Sequence, residues 1–277
     1  MRYGLLAAGL AFLSACTATP PPAPNQIAFL PAITGDYFQI RSSATGHDYH
    51  IHVRLPVDYA NEPDRRYPVV YLLDGDSLFP ILGANHLFLH YDDGLPDAIV
   101  VGIAYGGFGP VNKRSIDFNA PDASLPEAQA GAPRFQRFLS DELFPQIERR
   151  YRGDPARRIV FGQSRGGGFV LWSAYTRPEL FWGHIASNAA FEPGAERYFA
   201  MPSARAETHL VVSSGTNDRP DLRASALRWT EYWRARDKPW RLHLVEIRDG
   251  THAANATDAY RAVMRAIFDR KAAPTQP

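Results

Sequence analysis

The chain has 277 residues, of which 45% are hydrophobic and 21% charged, with a formal net charge of +1. That composition excludes a disordered polypeptide, and that charge gives no electrostatic case for a nucleic-acid partner. A single cysteine excludes an internal disulfide, so the fold must stand on its core, and a length of this order suits one large α/β domain of about 240 residues.

The amino terminus differs from the rest. Arg2 precedes an apolar run over residues 4–13 that is too short to span a bilayer, and Leu13-Ser14-Ala15-Cys16 follows. This resembles a bacterial lipoprotein signal over residues 1–16, in which Cys16 is lipidated and becomes the first mature residue. An ordinary secretory signal that happens to contain a cysteine is the alternative. Residues 17–34 begin with a Thr/Ala/Pro stretch without periodicity, as expected of a flexible tether. The globular domain is expected over 35–277, held at a membrane by its lipid in the bacterial cell envelope, on the periplasmic side.

Residues 36–40 and 50–56 alternate like two strands, with a turn at 44–47 between them. They suit an antiparallel start to a sheet. Residues 69–73 and 98–103 are continuous apolar runs, as strands are when helices cover both faces. Further strands are expected at 158–161, 183–187, 209–213 and 241–247, and helices at about 134–150, 167–176, 222–236 and 254–270. Strand and helix alternate from residue 67 onward, which predicts a mostly parallel sheet in a three-layer α/β/α sandwich. Residues 106–133 are rich in Gly, Pro, Asn and Asp and read as a long loop of the kind that often serves a site.

The strand at 158–161 runs into Gly162-Gln163-Ser164-Arg165-Gly166, and a helical pattern follows. A serine between strand and helix sits on a sharp turn with its hydroxyl clear of the backbone, and small flanking residues permit the turn. This is the pattern of a nucleophile elbow. A serine hydroxyl needs a base to take its proton and an acid to orient that base. His252, in the loop after the strand at 241–247, is the candidate base. Of the other histidines after Ser164, His209 begins its strand at the wrong edge, His243 lies inside a strand and His184 precedes one. Asp218, after the strand at 209–213, is the candidate acid; Asp221 competes, but its place at the start of a helix suits a cap. For the oxyanion, one donor is expected from the backbone N–H of Arg165 and a second from Gly75 or Asp76, after the strand at 69–73.

Together with Tyr71-Leu72-Leu73-Asp74-Gly75-Asp76, residues 100–105, Lys113-Arg114-Ser115-Ile116-Asp117-Phe118 and Asp249-Gly250-Thr251-His252, these motifs resemble the esterase D-like family of α/β-hydrolases over about residues 35–270. The branch most similar is the siderophore (enterobactin-type) esterases. The resemblance implies a serine carboxylic ester hydrolase of α/β-hydrolase fold, with Ser164, Asp218 and His252 at matching positions and a small-molecule ester as substrate. It also implies that Arg114 reaches the substrate mouth; an ion pair of Arg114 with Asp117 is the alternative. Two residues depart from the branch, Ala104 where Gly is frequent and Arg165 where an apolar residue is. The same family includes feruloyl and acetyl-xylan esterases, thioester hydrolases and acyltransferases, which fold and triad do not separate. A catalytically silent ligand-binding lipoprotein is the reading from another class.

His50 with His52, and His86 with His90 on a short helical pattern, have spacings a metal would accept. Neither has an acidic partner at a motif spacing, and no phosphate loop or dinucleotide fingerprint appears, so neither metal nor cofactor is expected. Trp229, Trp233 and Trp240 read as core packing.

Overall fold

Among the described residues, eight strands pair into one sheet in the order β1-β2-β4-β3-β5-β6-β7-β8. The structure is a computed structural model that describes residues 31–33, 35–202 and 207–268. Cys16, the expected signal and most of the expected tether lie outside those residues. The strands are β1 (Gly35–Arg41), β2 (Asp48–Arg54), β3 (Tyr67–Leu72), β4 (Ile99–Ala104), β5 (Gly153–Gln163), β6 (Gly183–Ser187), β7 (His209–Gly215) and β8 (Arg241–Ile247). β1 and β2 are antiparallel, β2 pairs antiparallel with β4, and every later pairing is parallel.

The continuous apolar runs are strands buried on both faces, and alternate residues feed two cores. Val69, Tyr71, Ile99, Val101 and Val160 face one; Val70, Leu72, Val100, Ile159 and Phe161 face the other. The first core is closed by α3 (Ala132–Arg137), α4 (Phe144–Arg150), α5 (Arg165–Thr176) and α6 (Pro220–Arg234), the second by α1 (Gly75–Asp93) and α7 (Ala256–Phe268). The result is the expected three-layer sandwich. The tryptophans belong to the first core: Trp229 and Trp233 each donate their indole N–H to the Tyr198 carbonyl at 3.0 Å, and Trp240 donates to Ala174 at the same distance.

Two helices differ from expectation. α1 is a 19-residue helix across a segment whose pattern indicated only a helical patch around His86 and His90. The expected helix at 134–150 is instead α3 and α4 joined by a π-helical turn, Phe138–Leu143, and Pro145 lies just after the junction. The long loop at 106–133 contains a helical turn, α2 (Arg114–Asp117), and a 3-10 turn, Glu127–Gln129, before α3 begins at Ala132.

Candidate active site

In an open α/β sheet, loops at the carboxyl ends of parallel strands meet on one side. Here β3, β5, β7 and β8 end on Asp74, Ser164, the segment leading to Asp218, and the loop holding His252. Ser164 has φ 59° and ψ −119°, a backbone conformation costing about 1–3 kcal/mol that is kept only when its surroundings enforce it. They do so through close packing: a Cβ on Gly162 would collide with the Gly166 carbonyl, so the strand and helix arms touch. The Ser164 backbone is then bonded to Ser187 through its N–H at 3.0 Å and to Ala190 and Gly168 through its carbonyl.

Ser164 Oγ lies 3.0 Å from His252 Nε2, and His252 Nδ1 lies 2.7 Å from Asp218 Oδ1. Asp218 is 1% exposed at its side chain, so its charge is desolvated beside the imidazole. Its Oδ1 also accepts the Arg219 N–H at 2.7 Å. Asp221 is not part of this cluster. It pairs with Arg219 at the surface, and it occupies the second position of α6 rather than the expected cap, which is Arg219. His209 and His243 bond to one another, and His184 lies inside β6, buried.

Two helix amino termini converge on the serine. In α5 the first carbonyl-bonded amide is that of Gly168, which leaves the Arg165 N–H without an intrahelical acceptor. In α1 the Ser77 and Leu78 N–H groups bond back to Asp74, which likewise leaves Gly75 and Asp76. Gly75 is pressed on β4: a Cβ there would lie 2.7 Å from the Ile103 nitrogen. Asp76 has a second engagement, because its carboxylate accepts the N–H groups of Tyr105 and Gly106 at 2.8 Å each and so ties the α1 terminus to the end of β4.

A cleft of about 310 Å³ opens over Ser164, lined among others by Asp74, Phe108, Asn112, Arg114 and His252. Arg114 is therefore at the mouth, yet its ion pair is not with Asp117. It forms a bidentate pair with Asp74, Nε to Oδ1 at 2.6 Å and Nη2 to Oδ2 at 3.0 Å. Burial alone would lower the Arg114 pKa; the Asp74 carboxylate outweighs it and raises it. Asp117 points the other way, into the core. It accepts hydroxyls from Tyr49 at 2.7 Å and Tyr105 at 3.0 Å, and burial raises its pKa despite those bonds. Arg165, half-buried, donates to the neutral Asn119 amide at 2.6 Å and makes no ion pair among the described residues. Burial, then the nearby Arg114 charge, pull its pKa down.

The histidine pairs have other partners. His86 donates from Nε2 to the Pro96 carbonyl and accepts the Tyr260 hydroxyl at Nδ1, and His90 bonds the Leu95 carbonyl. His50 bonds Tyr37, and His52 stacks on Phe79. No group of three or more His, Cys, Asp or Glu able to hold a metal lies together among the described residues. The sequence pattern had not singled out Gln163 or Asn188, whose amides reach the His252 carbonyl at 2.8 and 2.7 Å. Gln163 was visible only as the variable position of its motif.

A family model described as "putative esterase" matches residues 42–266. Among curated proteins, a ferri-bacillibactin esterase of Bacillus subtilis (strain 168) is 36% identical over 190 residues, 62% of each chain. A siderophore triacetylfusarinine C esterase of Aspergillus fumigatus is 29% identical over 180 residues, 61% of this chain and 57% of that one. The matches thus span about three fifths of those relatives' lengths. Among solved structures, the siderophore hydrolase EstB from Aspergillus nidulans superposes with a TM-score of 0.74 at 22% identity, covering 86% of this chain and 95% of that one. The BES protein from Bacillus cereus gives 0.71 at 24%, covering 82% and 94%. At such identities a structural likeness speaks for the fold, and the fold is that of the α/β-hydrolases.

Proposed function

The chain belongs to the putative esterase family, whose model takes in residues 42–266, and from that membership we propose that it is a serine carboxylic ester hydrolase acting on siderophore esters. The observation that carries the proposal is the contact series Ser164 Oγ, His252 Nε2, His252 Nδ1, Asp218 Oδ1, at 3.0 and 2.7 Å, with the serine on a strained elbow. The first distance suits proton transfer from the hydroxyl to the imidazole without rearrangement, and the second a hydrogen bond that holds the ring in place.

Ser164 Oγ attacks the ester carbonyl as His252 Nε2 takes its proton. Asp218 holds the imidazole by Nδ1–H and stabilises the imidazolium. The oxyanion receives the Arg165 N–H and one from Gly75 or Asp76, each worth about 3–4 kcal/mol of barrier. His252 returns the proton to the departing alcohol, and water, deprotonated by the same imidazole, releases the acid and restores Ser164. Arg114 stands at the mouth with its charge already balanced by Asp74, so it orients substrate by donated hydrogen bonds more than by net charge.

The siderophore assignment is supported by the named activities of the relatives. A panel of ferric triscatecholate lactones, ferric trihydroxamate esters, feruloyl esters and short acyl esters tests it, with Ser164→Ala as the blank. The highest kcat/KM is expected on a siderophore ester; a preference for feruloyl or acetyl esters overturns that part and leaves the hydrolase standing.

The proposal extends to location: Cys16 carries a lipid that holds the domain at a membrane of the bacterial cell envelope, facing the periplasm. No helix among the described residues is long and apolar enough to cross a membrane. Mass spectrometry of the mature amino terminus is expected to give an acylated Cys16, and a free Cys16 or cleavage elsewhere overturns the anchor.

A further inference from the structure

The loop that carries His252 has neither strand nor helix to hold it, since residues 251–255 run irregularly between β8 and α7. Side-chain amides grip its main chain instead. Asn188 Nδ2 donates to the His252 carbonyl at 2.7 Å, and lies 3.1 Å from both the Thr251 carbonyl and Asn255 Oδ1. Gln163 Nε2 takes the second lone pair of the His252 carbonyl at 2.8 Å. The opposite end of Asn188 is held by β7. Its Oδ1 accepts the Gly215 N–H at 2.9 Å, and its own N–H donates to the Ser213 carbonyl at 2.9 Å. Gly215 closes β7, three residues before Asp218.

The surroundings fix which way the amide points. An N–H faces one end and three oxygens face the other, so only one orientation satisfies both. Asn188 is 1% exposed and sits just beyond β6 with φ 44°, a left-handed conformation that Asn tolerates better than most residues. One buried side chain thereby joins the origin of the acid loop to the main chain of the base.

We infer that Asn188 is a positioning residue for catalysis: it sets the His252 backbone against the start of the Asp218 loop, so that the imidazole meets Ser164 and Asp218 together. The inference rests on the proposed roles of those three residues. A displacement of the imidazole by about 1 Å is enough to cost 10²-fold in rate. The substrate cleft does not include Asn188, so its loss should act on kcat and leave KM nearly untouched.

Two variants test this. Asn188→Gly keeps the positive φ and deletes the amide. Asn188→Asp keeps the acceptor for Gly215 and turns the donor into a carboxylate facing three oxygens. Each is assayed on p-nitrophenyl acetate, with folded protein counted by circular dichroism and by organophosphate titration run to completion. The expected result is a kcat per folded molecule lowered about 10- to 100-fold in Asn188→Gly and further in Asn188→Asp, with KM within about 2-fold of wild type. A purely structural amide would lower the melting temperature and leave kcat per folded molecule within about 2-fold of wild type, and that outcome overturns the inference. Should Asn188→Asp not fold, Asn188→Gly alone decides by the same criterion. A wild type no faster than Ser164→Ala overturns the hydrolase proposal itself, and the inference with it, a result distinguishable from any behaviour of the Asn188 variants.

Discussion

Ser164→Ala is expected to lower kcat for ester hydrolysis by about 10⁶-fold, and His252→Ala by a similar factor. The hydroxyl and the imidazole act as a unit: without the base the serine stays protonated, and without the serine the base has nothing to activate. The double variant should therefore lose little more than either single one. Asp218→Asn should cost less, about 10⁴-fold, because an amide still occupies the space beside Nδ1 but favours the wrong tautomer. What remains in each case is the contribution of the Arg165 and Gly75 or Asp76 amides, which the substitutions do not touch. Steady-state hydrolysis of p-nitrophenyl acetate by the four variants checks this, and effects that multiply across the double variant would show that Ser164 and His252 do not work together.

Acid should unfold this protein well above the carboxylate range. His86 and His184 are fully buried and neutral. Burial, then the Arg54 guanidinium, lowers the His86 pKa to about 4, and burial lowers that of His184 to about 3. A backbone contact with His209 opposes that lowering only weakly. Above pH 6.5 both rings are neutral whether the chain is folded or not, and they contribute no pH dependence. As pH falls below 6.5 the unfolded chain takes up protons that the folded one refuses, so stability drops until pH reaches the folded values. At pH 5 the loss is about 2 kcal/mol from each, a large share of the stability of an ordinary domain. His209, lowered to about 4 by burial and then by His243, acts in the same direction. Urea midpoints at pH 7 and pH 5 measure the drop, and His184→Leu is expected to shrink it. An unchanged drop in that variant would place the acid sensitivity elsewhere.

The parts of the fold legible in the sequence are those where one physical constraint dominates. β3 and β4 are buried on both faces, so their residues are apolar without interruption. α1 was hidden because no such constraint is visible in it. Pro80 and Gly83 interrupt it, and Ile81, Phe88 and Tyr91 stay exposed while Leu78, Phe79, Leu82 and Leu89 are buried, so apolar residues do not mark one face. At the candidate site, the proximity of Ser164, His252 and Asp218 was anticipated in the sequence because the proposed chemistry asks for those residue types after β5, β8 and β7. The partner of Arg114 was not. Asp74 lies 40 residues away, and the nearer Asp117 is turned inward by two tyrosine hydroxyls. Asn188 left no trace, and Gln163 none beyond its place in the motif, because a buried amide is recognised by what surrounds it, and that exists only after folding.

β8 is an outermost strand, paired on one side with β7 and largely open on the other, with a burial pattern far weaker than that of β3 or β4. His252 is carried just beyond it. Elements with few buried contacts open locally at a lower free energy than the whole domain. Each such opening of β8 and its following loop takes His252, the proposed base, out of reach of Ser164 while the seven other strands remain paired. On the proposed mechanism, the catalytic lifetime of the molecule is then governed by one outer edge of its sheet and not by its core, and under rising denaturant the activity fades before the bulk of the secondary structure does.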